Sequence, residues 1–257
     1  MRAIILAAGQ GTRLRPLTDE CPKAMVPMVG RPIIDWQIEL FHKMGIKDIV
    51  VVRGYKAATL DGRDVQFVLN NRYMETNMLY SLLCAKEYFN KDVIVSYGDI
   101  LYQKEVLATL LTAKHDVSVV VDLAWKNYYA QRFTNPYDDA ESLVLTSDMS
   151  IKSIGQSNPH IEDVQAQYIG LMKFSQAALQ NIQRIYKDSY EQKQCIGWGK
   201  RAEKAYMTDL LQEMINRRMS VHGVEINGGW LEIDSINDYE LAQKVFDAEK
   251  WMGNIEE

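Results

Sequence analysis

Three cationic side chains stand close together near the start of the chain. Arg13, Arg15 and Lys23 fall within eleven residues of the stretch "LAAGQGTRLRPLTDECPKAMVP". Gly9 and Gly11 precede them, and glycine lets backbone N–H groups turn toward a ligand at close range. Amide donors and cations in one loop are what a polyphosphate requires. Two familiar phosphate loops do not fit, however. The dinucleotide fingerprint needs a third glycine or alanine where Leu14 stands, together with an acidic residue further on, and the Gly-Lys-Ser/Thr ending of the nucleoside-triphosphate loop does not occur.

The surrounding elements place this loop. "RAIILA" (2–7) reads as a buried strand, and "RPIIDWQIELFHKMG" as a helix with Gly45 as its C-terminal cap. "DIVVV" (48–52), "VQFVL" (65–69), "DVIVSYGD" (92–99) and "DVSVVVD" (116–122) supply further strands. Between two of them Met78, Leu82, Ala85 and Phe89 recur at helical spacing, with Thr76 placed to cap. Strands alternating with helices imply a parallel sheet covered on both faces, with ligands beyond the carboxyl ends of its strands. After residue 122 the pattern changes. "LAWKNYYAQRFTNPYDDAE" has no clean period, and "SLVLTS", "IKSIGQ" and "VQAQYIGLMKFS" read as antiparallel strands of a small lobe. Helical character returns over 175–218, followed by two strands and a last helix.

Composition narrows the function classes. In 257 residues, 47% apolar and 25% charged, the chain has the profile of an ordinary folded domain. A net charge of −5 argues against nucleic-acid binding and requires any anionic ligand to meet a local basic site. Cys21, Cys84 and Cys195 form neither a disulfide framework nor a metal knuckle, which fits a reducing cytoplasm. The apolar run Ala3–Ala8 is too short for a signal core, and no segment reaches membrane-spanning length.

The stretch from Leu6 to Trp36, with Pro22-Lys23 in register, resembles the signature of the nucleotidyltransferase superfamily that activates sugar phosphates and small phosphate or phosphonate monoesters with NTPs. The resemblance implies an α/β fold: a mixed, mostly parallel Rossmann-like sheet flanked by helices, with a small antiparallel acceptor-binding lobe. It implies one domain over 1–257, with 1–122 mainly holding the nucleotide and 123–257 mainly the acceptor. It also assigns roles. Leu6, Ala7, Ala8, Gly9, Gly11 and Thr12 would line the triphosphate, Arg13 would neutralise the leaving pyrophosphate, and Lys23 would reach the reacting phosphates. These roles are chemically sound, because an ionised acceptor oxygen needs no general base and the barrier lies in bringing two anions together.

A triphosphate of this kind usually comes with Mg²⁺. Asp99 and Asp234 match the metal-binding aspartates of similar enzymes, with a simple strand-ending turn as the lesser alternative for Asp99. Ser235 and Asp238 could form a capping pair beside Asp234 that leaves its carboxylate free. Tyr97 and Gly98 adjoin Asp99 and join the nucleotide set. "ETNMLYSL" (75–82) is similar to the base-binding segment of CTP-dependent members, so Thr76 or Asn77 is expected at cytosine; a plain cap at Thr76 is the alternative.

For the acceptor, Trp125, Tyr128 and Tyr129 lie near Arg132 and the acids Asp138, Asp139 and Glu141. Aromatic faces beside carboxylates suit an ammonium, and a guanidinium suits a phosphate or phosphonate; packing within a lobe is the competing reading. The acceptor set is Trp125, Tyr129, Arg132, Gln167, Tyr168 and Glu232. "RFTNPYDDAESL" with "QAQYIGLMKF" resembles a subgroup acting on 2-aminoethylphosphonate, phosphoglutamine or phosphocholine-like acceptors. The expected activity is therefore CMP transfer from CTP to such an acceptor, with Mg²⁺, for surface glycan, lipid or capsule decoration. A sugar-1-phosphate uridylyl- or thymidylyltransferase is the alternative, disfavoured by the short acceptor half and the Thr-Asn segment. A silent regulatory subunit should have lost Lys23, Arg13 or an aspartate. A homodimer is left open. The four histidines read as structural, and Asp209 lies on an amphipathic helix within reach of the acceptor lobe.

Overall fold

Residues Arg2–Ala7 form β1, and every one of them is buried. A strand sends successive side chains to opposite faces, and here both faces are covered. Ala3, Ile5 and Ala7 enter one apolar core, whereas Ile4 and Leu6 enter the other. The computed structural model describes residues 1–253, so the last four residues of the expected domain lie outside them.

The central sheet contains β1, β2 (Ile49–Arg53), β3 (Gln66–Leu69), β4 (Val93–Tyr97), β5 (Val117–Asp122), β6 (Gln167–Phe174) and β7 (His222–Ile226). Their order across the sheet is β7-β5-β6-β4-β1-β2-β3. All are parallel except β6, which lies antiparallel between β4 and β5. The alternation of strand and helix thus predicts the sheet. It misplaces one strand: within 164–175, expected in a separate lobe, Gln167–Phe174 runs through the interior of the main sheet. Its antiparallel direction is as expected; its place is not, because burial does not say which strands lie alongside.

Helices α1 (Ile33–Lys43), α3 (Lys104–Thr112), α4 (Trp125–Arg132) and α7 (Ile236–Val245) pack on one face, and α2 (Met78–Cys84), α5 (Gln176–Glu191) and α6 (Met207–Asn216) on the other. The helix α4 falls where no period was legible. Its buried positions are Trp125, Tyr129 and Arg132, at helical spacing, but one of them is an arginine and so breaks the apolar pattern. A small antiparallel lobe does exist, from Glu141–Leu145 and Ile151–Ser157. At α2 the cap is Asn77, whose side chain accepts from the Met78 N–H, and not Thr76. The Ser235–Asp238 capping box forms as expected at α7.

Candidate active site

The carboxyl ends of β1 and β4 lie side by side, with Leu6 opposite Tyr97, so the loop after each opens on the same end of the sheet. At the first, Gly11 adopts φ +65°, and a Cβ there would come within 3.0 Å of the Lys23 Cβ. The loop folds back on itself through this point, held by the Thr18 hydroxyl donating to the Gly11 carbonyl at 2.7 Å. That places Lys23 under the loop. At the second, Trp230–Glu232 pairs with Ile100–Tyr102, and the Ile233 N–H donates to the Asp99 carbonyl at 2.9 Å. This ladder sets Asp234 beside Asp99.

Lys23 Nζ donates to Asp99 Oδ2 at 2.6 Å and also hydrogen-bonds Asp234 Oδ1, while Arg13 forms an ion pair with Asp234 Oδ2. Burial alone would favour the neutral amine. The two carboxylates outweigh it and hold the Lys23 pKa above its ordinary value, so the ammonium stays charged. The other oxygen of Asp99, Oδ1, is buried without a hydrogen-bond partner among the described residues. Such an oxygen fits a cation that arrives with substrate. No cluster of three or more metal-binding side chains occurs among the described residues, and a Mg²⁺ ion held by one or two carboxylates takes its other ligands from water or phosphate oxygens.

These groups line a cavity of about 430 Å³. All of the expected loop residues from Leu6 to Arg13 lie on its wall, as do Lys23, Thr76, Asn77, Tyr97 and Gly98. Two of them are already engaged. The Thr76 hydroxyl donates to the Arg72 carbonyl and accepts from the Asn70 amide, and Asn77 Oδ1 is used by the cap.

A second cavity, about 210 Å³, adjoins the first and shares Arg13, Tyr97 and Asp234 with it. Tyr129, Gln167, Tyr168 and Glu232 line it, together with Asp139, Glu141, Thr208 and Trp230. Tyr97 and Tyr168 meet edge to face at 5.7 Å. Gly170 leaves room for this wall, because a Cβ there would lie 2.6 Å from the Tyr97 ring. Burial, with Asp209 and Asp139 nearby, pushes the Glu141 carboxyl up to about 7, against the opposing effect of Thr208. Burial also raises Glu232; Arg132 opposes that shift, while Asp99 and Asp234 add to it.

A model of the MobA-like NTP transferase domain matches residues 3–191. This chain belongs to that family. It is 38% identical over 252 residues to a CTP:phosphoglutamine cytidylyltransferase of Campylobacter jejuni, with 94% of this chain and 98% of that one covered. It is 29% identical to the choline-phosphate cytidylyltransferase of Streptococcus pneumoniae, covering 95% and 98%. The structure of a CTP:phosphocholine cytidylyltransferase from Streptococcus pneumoniae superimposes with a TM-score of 0.72 at 25% identity, over 95% of this chain and 98% of that one. The chain is thus a nucleotidyltransferase with an α/β fold. No helix among its described residues is long and apolar enough to cross a membrane.

Within this NTP transferase the acceptor expectations need two corrections. Trp125 is only 1% exposed and packs edge-on against Tyr129 at 5.2 Å and Tyr137 at 5.4 Å, in the core and off the cavity wall. Arg132 makes its two-pronged contact with Asp238, at 2.8 and 3.2 Å, and so does not face a ligand. Gln167 does line the cavity, but its amide is bonded to the backbone of Glu141 and Ala166. Asp209 is buried at the N-terminus of α6, where it accepts from the Tyr206 N–H at 2.9 Å, and it does not line the second cavity. His42 and His160 are exposed, and His115 stacks on His222 at 3.7 Å.

Sequence reasoning missed Tyr73, Ser81 and Tyr206 on the first cavity and Thr208 on the second. It also missed Asn70, which is 1% exposed and whose amide donates to Thr76 and Ser81, tying the strand-end turn to α2. Ser81 falls within the 75–82 segment but was not singled out there, and the others sit in no motif; their roles arise from distant segments meeting.

Proposed function

We propose that this nucleotidyltransferase transfers CMP from CTP to a small phosphate or phosphonate monoester that carries an ammonium group, releasing pyrophosphate with Mg²⁺ as cofactor. The observation that carries this reading is the junction of two cavities of opposite character at Arg13 and Asp234. One is a glycine loop with two cations, suited to a triphosphate; the other is walled by carboxylates and aromatic rings, suited to a cation. The base and the acceptor class draw on similar proteins, whose names specify CTP with phosphoglutamine or phosphocholine.

In this reading the acceptor's ionised oxygen attacks the α-phosphorus of CTP. The new P–O bond forms as the bond to the pyrophosphate oxygen breaks, and the electron pair leaves with pyrophosphate. Arg13, 67% exposed at its side chain, can follow the departing charge, whereas Lys23 is buried between the aspartates and addresses the reacting phosphate from below. Asp99 and Asp234 would hold Mg²⁺, which supplies further charge neutralisation when bound. The carboxylates of the second cavity favour the acceptor's ammonium and orient its phosphate or phosphonate toward the junction.

Pyrophosphate release from CTP, UTP, dTTP, ATP and GTP, each with phosphocholine, 2-aminoethylphosphonate, phosphoglutamine and several sugar 1-phosphates, tests the proposal. Turnover should require CTP and an amine-bearing acceptor. Release confined to sugar 1-phosphates with UTP or dTTP would replace it with a sugar nucleotidyltransferase.

A further inference from the structure

We infer that Arg132 is a positioning residue that fixes Glu232 and Asp234 relative to one another through Asp238, making α4 the part that aligns the acceptor cavity with the nucleotide cavity. The inference rests on the proposed function for its kinetic consequences, and on geometry for the rest.

Arg132 is a buried cation, with only 1% of its side chain exposed. A charge removed from water in this way is stable only if its partners are fixed and well aligned. Its Nε and Nη2 grip the two oxygens of Asp238 at 2.8 and 3.2 Å. Nη1 lies 2.8 Å from Glu232 Oε2, off the N–H direction, so that contact is one of charge. One guanidinium therefore spans a helix-capping carboxylate and a cavity-lining carboxylate.

Asp238 transmits the constraint. Its Oδ2 accepts from the Ser235 N–H and hydroxyl, both at 2.9 Å, and from the Asp234 N–H at 3.2 Å. The same carboxylate that starts α7 therefore holds the backbone of Asp234. Tyr128, one turn before Arg132 on α4, grips the other end of the segment: its hydroxyl accepts from the Glu232 N–H at 2.9 Å and donates to the Glu232 carbonyl at 3.2 Å. The Asn237 amide closes the set by donating to the Arg132 carbonyl at 3.0 Å. Between these anchors lie three residues, of which Glu232 faces the acceptor cavity and Asp234 faces both. A small rotation of α4 would move both carboxylates together, and an error near 1 Å in such positioning costs on the order of 100-fold in rate.

Three variants of the full-length protein separate positioning from mere support: Arg132→Met, Arg132→Lys and Tyr128→Phe. Each is read by thermal midpoint, by steady-state kinetics with CTP and an amine-bearing acceptor, and by amide hydrogen exchange at Asp234 and Ser235. Arg132→Lys keeps the charge but not the fork. It should fold, yet lose about 10-fold or more in acceptor kcat/KM while the KM for CTP stays within about threefold, and the two amides should exchange at least about 10-fold faster. Tyr128→Phe removes only the bridging hydroxyl; it should raise the acceptor KM about 3- to 10-fold and lower the midpoint modestly, because the Glu232 N–H and carbonyl lose that partner. Arg132→Met should show the larger loss in acceptor kcat/KM; should it fail to fold, the two conservative variants decide. Wild-type kinetics in both conservative variants, or unchanged exchange at Asp234 and Ser235 in Arg132→Lys, would overturn the inference. The exchange measurement stands even if the wild-type protein releases no pyrophosphate, an outcome that sinks the proposed function instead.

Discussion

The Lys23 ammonium donates to Asp99 Oδ2 at 2.6 Å across 76 positions of sequence. The same ammonium reaches Asp234, 211 positions away, so one positive charge holds two carboxylates that would otherwise repel. Lys23 is therefore both a candidate catalytic cation and the electrostatic centre of the unliganded site, and its replacement should be felt in both roles.

Lys23→Ala is expected to lower the rate of pyrophosphate release by about 100- to 1,000-fold, the usual cost of losing one preorganised charge at a reacting oxygen. Circular dichroism should show the fold retained. Near-normal turnover would remove Lys23 from the chemistry.

Asp99→Asn removes a negative charge from the oxygen pair proposed to hold Mg²⁺. Activity titrated with Mg²⁺ should need a much higher concentration or vanish, and an unchanged titration would take Asp99 out of the metal site.

Glu141 gives a pH signature. Its folded pKa of about 7 lies above the ordinary carboxyl value of 4.5, so the folded protein binds this proton more tightly than the unfolded chain does. The stability it contributes is complete below pH 4.5 and is lost as pH rises through 7. Glu141→Gln should therefore melt progressively higher than wild type between pH 5 and pH 8. An ammonium-bearing acceptor should also bind wild type better as pH rises through 7, a trend that Glu141→Gln should flatten. Parallel midpoint and KM profiles for the two proteins would refute both expectations.

Trp125→Ala separates packing from recognition. Trp125 is buried among Tyr129 and Tyr137, so truncation should cost stability by about 3–5 kcal/mol, as for other large buried aromatics. Denaturant unfolding measures this. A rise in acceptor KM without loss of stability would return Trp125 to the cavity wall.

Much of the candidate site was legible locally. Gly11, Arg13 and Lys23 belong to one contiguous loop, and Asp99 and Asp234 each follow an apolar strand, so their places at strand ends could be read from the pattern of β1, β4 and the "GGWLEID" run. The doubly covered strands were equally clear, since continuous apolar runs have no other stable home in a soluble sheet. Arg132 shows where such reading stops. Its type suggested a phosphate ligand, and its spacing from Trp125 and Tyr129 offered no hint of an ion pair with Asp238, which lies 106 positions away.

The sequence by itself determined the alternating strands and helices, the cation-bearing loop at the end of β1 and the two aspartates available to it, because backbone conformation and one-face burial follow from short-range residue order. Only the tertiary structure decided that β6 lies inside the main sheet and not in the lobe, that Lys23 sits between Asp99 and Asp234, and that Arg132 is spent on Asp238 while Tyr129, Glu141 and Glu232 form the second cavity. Periodicity reports whether a side chain is buried; it carries no information about which distant charge meets it there, and for buried charges the partner sets the role.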